Sequence, residues 1–354
     1  MTSIKDVARA AGVSSATVSR VLSDKPYVTD SVRQRVLQAA REIGYHPDQT
    51  ARRLRMHSTS LVIGLIVTDI RNPYIGAMVR GVEDSAYSQN MNILLCNTDR
   101  QPERQQFYLE RMRSERAAGL IIIPTSAPPD GALVERIRRA GIAVVLIDSP
   151  LAGYDFDQIA VDDRGGAREA TAHLLARGYT RIAIIAGRQS LHTGRNRLAG
   201  YADAIKQAGI APDSALIQYG DYSRESGYAA MRALLDLPTP PQAVFACNES
   251  MTSGALKALN ERRIAIPDQI ALIGFDDVPW AEDLRPALTT VAQPTYDIGR
   301  EAMRLLLRRL KEPDAPILSV SLPTQLIVRE SCGALSKGEP LGRPYSDSSL
   351  DSKP

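Results

Sequence analysis

The 354-residue chain is poor in several things that would point to particular classes of protein. It has three cysteines, Cys96, Cys247 and Cys332, far apart and odd in number. That excludes a disulfide framework and suits free thiols in a reducing compartment. Aromatic residues are only 5%, with one Trp, so the 44% of apolar residues available for a core is mostly aliphatic. No apolar run reaches the roughly 18 residues that argue for a transmembrane helix. The chain enters a helical pattern at once, without a basic leader and apolar signal core, so a cytoplasmic location is expected.

Catalytic signatures are missing too. There is no phosphate loop, no G-x-G-x-x-G after a strand and no G-x-S-x-G elbow. The four histidines, His46, His57, His173 and His192, have no metal-ligand spacing with each other or with cysteine. His173 precedes Leu174-Leu175 on a helical stretch and reads as structural. His192 falls in a loop near Arg195, where a ligand contact is an alternative to a structural role. Asp162-Asp163 and Asp276-Asp277 end strands with no nucleophile in view, which suits hydroxyl acceptors or helix caps. No enzyme activity, cofactor or metal is expected.

What is present begins at the N-terminus. Ile4, Val7, Ala8 and Ala11 fall at i, i+3, i+4 and i+7, a helix with one apolar face. Gly12 follows, where a tight turn needs a residue tolerant of positive φ. Ser14 is a good N-cap for a second helix, Ser15 to Leu22. Val18, Val21 and Leu22 face the first helix and leave Ser15, Ala16, Ser19 and Arg20 outward. A third helix starts after Thr29, turns Val32, Val36, Ala39, Ala40 and Ile43 inward, and stops at Gly44. This is a helix-turn-helix, whose second helix would enter a DNA major groove. The alternative is a three-helix bundle without nucleic acid, and charge argues against it. Residues 1–60 carry a net +5, the other 294 a net −2, so positive charge sits where groove binding needs it.

From Leu61 the pattern changes. LVIGLIV (61–67) is a continuous apolar run, as expected for a strand buried on both faces, and NILLC (92–96), GLIIIP (119–124), IAVVLID (142–148), IAVD (159–162), RIAIIAG (181–187), AVFAC (243–247) and IALIGF (270–275) read as further strands. Helical stretches separate them, near 102–116, 130–140, 164–177, 195–208, 223–236, 249–262 and 296–311. The alternation predicts an α/β core of doubly wound parallel sheets, as two lobes of about four strands each. Such sheets bind ligands beyond the carboxyl ends of their strands. Residues 333–354 are rich in Gly, Pro, Ser and charge, and are expected to be a disordered tail. They hold no Leu heptad, so no C-terminal tetramer-forming coil is expected.

IKDVARAAGVS, SATVSRVL and REIGYHPDQTARRLR together resemble the headpiece of the lactose-repressor (LacI/GalR) family of bacterial transcription regulators, and the similarity runs to about Arg329. The resemblance implies a helix-turn-helix headpiece (1–46), a hinge helix and linker (47–60), and a periplasmic-binding-protein-like core (61–332) whose two lobes are joined by three crossovers. Lobe 1 would be about 61–161 with 293–320, and lobe 2 about 162–292 with 321–332. It implies DNA contacts from Ser14, Ser15, Ala16, Thr17, Ser19 and Arg20. In the hinge, Leu54 would be a wedge in the minor groove, with Arg52, Arg53 and Arg55 on flanking phosphates. It also implies a homodimer on a pseudopalindromic operator, with the helix from Tyr74 to Asn90 contributing to the interface. A small effector would sit between the lobes, on Asn72, Tyr74, Asp148, Arg195, Tyr222, Asn248 and Asp276. Two departures stand out: Asp48 where the family usually has Asn, and Glu249 where it usually has Asp.

These polar residues suit a polyhydroxylated effector, a sugar, a sugar derivative or a nucleoside. LLDLPTPPQAVFACNESMTSGAL and TTVAQPTYDIGREAMRLLL are most similar to the family's regulators of nucleoside or pentose use. Two other classes were weighed. A transport receptor fits the core but neither the headpiece nor the missing leader, and an enzyme fused to a DNA-binding domain lacks its phosphate loop.

The reading of the second helix is testable. Arg20 can take a guanine through a bidentate pair, which discriminates between bases by about 1–3 kcal/mol. Arg20→Ala on a randomised half-site library should relax preference at one position. Unchanged preference at every position would remove Arg20 from the base edges.

Overall fold

The computed structural model describes residues 2–22, 27–45, 62–151 and 153–333. The calls on Arg52, Arg53, Leu54, Arg55 and Asp48, and on the tail beyond Gly333, lie outside these residues. Two compact units separate at residue 60, Met1–Ser60 and Leu61–Pro354. In the described part of the first, α1 (Ile4–Ala11), α2 (Ser15–Leu22) and α3 (Asp30–Glu42) enclose a small core. Val7, Ala8, Ala11, Val18, Val21, Val36, Ala39 and Ala40 form it.

The second unit holds two six-stranded sheets, not two sets of four strands. The first is built from β1 (Val62–Val67), β2 (Asn92–Asn97), β3 (Gly119–Ile122), β4 (Ala143–Ile147), β5 (Asp157–Val161) and β11 (Ser319–Leu322), in the order β2-β1-β3-β4-β5-β11, all parallel. The second is built from β6 (Ile182–Ala186), β7 (Ile217–Tyr219), β8 (Ala243–Ala246), β9 (Ala271–Phe275), β10 (Thr289–Ala292) and β12 (Gln325–Ile327), in the order β7-β6-β8-β9-β10-β12. Only β12 runs antiparallel, against β10. The strands absent from the sequence reading are short or polar. β7 and β12 have three residues each, and β11, SVSL, alternates exposed and half-buried positions at a sheet edge.

Helices α4 (Pro73–Ser88), α5 (Pro102–Ser114), α6 (Gly131–Arg139) and α11 (Thr295–Lys311) belong to the first sheet. Helices α7 (Asp163–Ala176), α8 (His192–Gln207), α9 (Arg224–Leu235) and α10 (Glu249–Glu261) belong to the second. Residue 192 therefore opens a helix and is not in a loop. The chain passes between lobes three times: after Val161, after Ala292, and through Pro323-Thr324 rather than near 320. α4 and α11 cross so closely that a Cβ on Gly81 would lie 2.1 Å from the Tyr296 carbonyl oxygen, and one on Gly299 2.1 Å from that of Met78. Glycine is required at both. Each sheet reverses its order between its first and third strands, and in both lobes the carboxyl ends of the strands open on the same cleft.

Candidate functional site

In the headpiece, Ser3 caps α1. Its backbone N–H and hydroxyl both donate to the Asp6 carboxylate, at 2.9 and 2.7 Å. Gly12, at φ +63°, ends the helix, and the Val13 N–H returns to the Ala8 carbonyl at 3.0 Å. Ser14 Oγ accepts from the Thr17 N–H at 3.1 Å and lies 2.9 Å from the Thr17 hydroxyl. Those two hydroxyls thus serve the cap of α2. With Val18 and Val21 buried, the helix turns Ala16 and Arg20 to solvent, one turn apart, with Ser15 and Ser19 half-exposed beside them.

In the core, a cavity of about 110 Å³ lies between the lobes. Loops after β1, β2, β3 and β4 supply Thr68, Asn72, Arg100, Thr125 and Asp148, and the first turn of α4 supplies Tyr74. Loops after β6, β7, β8, β9 and β10 supply Arg188, Tyr222, Asn248, Asp276 and Gln293. Four lining residues hold left-handed backbone: Arg100 at φ +61°, Asp148 at +68°, Tyr222 at +70° and Asp276 at +76°. Each is an uncommon cost for a non-glycine residue, and such costs concentrate at binding sites.

Six of the seven residues named from sequence line this cavity: Asn72, Tyr74, Asp148, Tyr222, Asn248 and Asp276. Arg195 does not. It is exposed and donates to the carbonyls of Gln189 and Ser190. The cavity arginine is Arg197, 5% exposed. The two-residue error has a helical cause. α8 buries Thr193, Gly194, Arg197, Gly200, Tyr201 and Ala204, a face spaced by three and four on which position 195 has no place. That spacing was legible in TGRNRLAGYADA.

Arg197 organises the floor of the cavity. Its Nε donates to Asp163 at 2.6 Å, its Nη1 to the Cys247 carbonyl at 2.5 Å, and its guanidinium carbon lies 3.6 Å from the Phe275 ring centre. Asp163, 1% exposed, is raised by burial and drawn back by Arg197. The guanidinium stays charged, because Asp163 and Asp276 outweigh its burial. Asp162, beside it in sequence, caps α7 through the Gly165 N–H at 2.7 Å. The second pair of acids divides similarly: Asp276 faces the cavity, while Asp277 binds Arg329 at 2.7 Å.

Above the floor, the Tyr74 hydroxyl donates to Asp148 at 2.9 Å. Enclosure, then the nearby Asp163 charge, raises the Asp148 carboxyl to about 7. Tyr222 places its hydroxyl 2.9 Å from that of Thr193, and its ring lies on Gly187, where a Cβ would come within 2.1 Å of a ring carbon. Asn72 and Asn248 cap α4 and α10 with their side-chain oxygens, at 3.0 Å each. Capping and lining are therefore compatible, since each amide NH₂ remains to donate. Glu249 follows as the first residue of α10 without displacing that cap. Gln293, on the second crossover, donates to Asp276 and keeps its buried Oε1 free of hydrogen bonds to the described residues. The sequence carried no local sign of Gln293, Thr125 or Arg100 as lining residues. His173 lies apart, with Nε2 3.3 Å from Cys332 Sγ.

Comparison with known proteins adds an independent line. Residues 3–48 match the model of the lacI family of bacterial regulatory proteins, and residues 171–332 that of the periplasmic binding protein-like domain. The HTH-type transcriptional regulator GalR of Escherichia coli K12 is 38% identical, over 94% of this chain and 96% of its own. The ribose operon repressor of Halalkalibacterium halodurans is 34% identical, over 94% and 97%. Among solved structures, the lac repressor dimer bound to operator and the anti-inducer ONPF superposes with a TM-score of 0.81 at 26% identity, covering 94% of this chain and 99% of that one.

Two predictions follow from the geometry. Arg197→Ala leaves Asp163 as an uncompensated buried charge, which typically costs about 3–5 kcal/mol. Arg195→Ala, at an exposed position, should cost under about 1 kcal/mol. Chemical denaturation of the two variants checks the contrast, and equal losses would contradict it. Asp148 gives a pH dependence. Its folded value lies above the ordinary 3.8, so its neutral form favours the fold and that contribution is lost as pH rises through about 7. Asp148→Asn cannot ionise. Its melting temperature relative to wild type should therefore climb from pH 5 to pH 8, whereas a constant offset would contradict the raised value.

Proposed function

The chain belongs to the lacI family of bacterial regulatory proteins, and on that premise we propose that it is a repressor that binds a pseudopalindromic operator as a homodimer and is controlled by a small uncharged sugar in the core cavity. No catalytic step is assigned to it.

In this reading α2 enters the major groove. Arg20, Ala16 and Ser15 face base edges, while Ser14, Thr17 and Ser19 lie nearer the phosphates. Arg52, Arg53 and Leu54 act in the minor groove at the operator centre, where an apolar wedge kinks the duplex at a cost that added contacts offset. The second copy covers the exposed apolar side chains at the end of α4 and on edge strand β2. Tyr87, Leu94 and Leu95 are 79%, 44% and 43% exposed there.

The single observation behind the effector class is the charge pattern of the cavity. Arg197 pairs with Asp163 and Arg188 with Asp221, while Arg100 shares Asp69 with Arg71. Asp148 and Asp276 remain, and among the described residues neither pairs with a basic side chain. Both accept hydrogen bonds, as does the free oxygen of Gln293. Hydroxyl groups satisfy them, whereas a phosphate or carboxylate brings repulsion. Of the polyhydroxylated classes, a neutral monosaccharide is the simplest that supplies such donors. The ribose operon repressor among the relatives agrees with this choice.

Binding of effector across the cleft biases the lobes toward closure, and operator affinity changes with it. The coupling is reciprocal, and typically about 5–150-fold. Anisotropy titration of labelled operator with full-length protein, against neutral monosaccharides, sugar phosphates, sugar acids and nucleosides, checks the proposal. One or more neutral monosaccharides should shift operator affinity by a factor in that range. A response confined to nucleosides or to anionic sugars would overturn the assignment.

A further inference from the structure

Arg100 stands outside every role assigned above. It follows β2 in the first lobe, within Asp99-Arg100, and both residues are in the left-handed region at φ +49° and +61°. That backbone conformation, with the Arg100 N–H on the Thr68 carbonyl at 2.9 Å, turns the side chain to the mouth of the cleft. There Nη1 lies 3.1 Å from Asp69 Oδ2 of its own lobe. The other terminal nitrogen, Nη2, donates to the backbone carbonyl of Tyr222 in the second lobe, at 3.3 Å. Asp69 is 4% exposed and is gripped from its other side by Arg71 at 2.9 Å. The anchor is therefore rigid. Tyr222, itself at φ +70°, presents its carbonyl to the mouth while its hydroxyl meets Thr193 inside.

We propose that Arg100 is a latch residue: it ties the two lobes together across the cavity mouth, holds the cleft closed without effector, and sets how readily effector enters and leaves. The chemistry suits arginine. One edge of a planar fork stays on the carboxylate while the other reaches a carbonyl on the facing lobe. The target is a main-chain oxygen, so the latch is indifferent to the ligand and acts on the lobes. Closure then rests on two contributions, the effector inside and Arg100 at the rim. A site that is partly closed already gives up less of its binding free energy to closure. The functional consequence rests on the effector reading above, but the latch itself can be measured on the protein alone.

Two exposed helical alanines, Ala132 in α6 of the first lobe and Ala233 in α9 of the second, are suited to nitroxide labelling as Ala132→Cys and Ala233→Cys. The three native cysteines are buried and compete little for the label. Pulsed electron resonance distances are then recorded on the full chain without ligand, with Arg100, with Arg100→Ala and with Arg100→Lys. The closed-to-open ratio should fall about tenfold or more in Arg100→Ala, as expected for loss of one hydrogen bond to a charged group. Arg100→Lys keeps the Asp69 pair but lacks the fork, and should open nearly as far. Thermal melting of both variants within a few degrees of wild type would separate opening from unfolding. Unchanged distance distributions in both variants would overturn the latch and confine Arg100 to anchoring its own loop. That result would leave the effector proposal untouched, since the panel titration tests it separately.

Discussion

A positive charge held out of water governs the core. Arg197 is 5% exposed, and a guanidinium in that position is tolerated only if its donors and its charge are met from all sides. Asp163 meets it from the start of α7, the Cys247 carbonyl from the end of β8, and the Phe275 ring from the end of β9. Four elements of the second lobe, α8 included, are thereby fixed at the carboxyl edge of their sheet. The same pairing that makes the charge tolerable makes the floor of the cavity rigid.

The remaining chemistry follows from that edge. With Arg197 bound to Asp163, Asp148 and Asp276 line the cavity without a salt bridge of their own among the described residues, and they favour ligand groups that donate hydrogen bonds. Asp148 belongs to lobe 1 and Asp276 to lobe 2, so a ligand donating to both is bound more tightly by the closed arrangement than by an open one. Differential affinity of this kind is what allows a small molecule to shift a conformational equilibrium.

Much of this was legible in the sequence, and the exceptions have physical reasons. Most of the headpiece could be read residue by residue, because capping by Ser14, the left-handed turn at Gly12 and the Val7-Ala8-Ala11 face are all short-range; the cap at Ser3 was not read. The long apolar strands declared themselves, and with them the acids and asparagines at their ends. β7, β10, β11 and β12 did not, because a strand of three or four residues is defined by its neighbours rather than by its own pattern. The family resemblance put the cleft arginine at Arg195, two residues before Arg197, which lines the cavity. With the helix opening at His192, the buried face of Gly200, Tyr201 and Ala204 selects Arg197. Gln293, Thr125 and Arg100 became visible only once the two sheets brought the crossover, the β3 loop and the β2 loop to one cavity. Side chains gathered by topology leave no local signature.

The central claim is that an uncharged sugar is bound between the lobes by Arg197 and by the two unpaired acids. A crystal structure of the core with whichever monosaccharide alters operator binding tests it most directly. The account predicts sugar hydroxyls within hydrogen-bond distance of Arg197, Asp276 and Asp148 together. Sugar bound elsewhere, or bound in the cleft without touching Arg197, would contradict it.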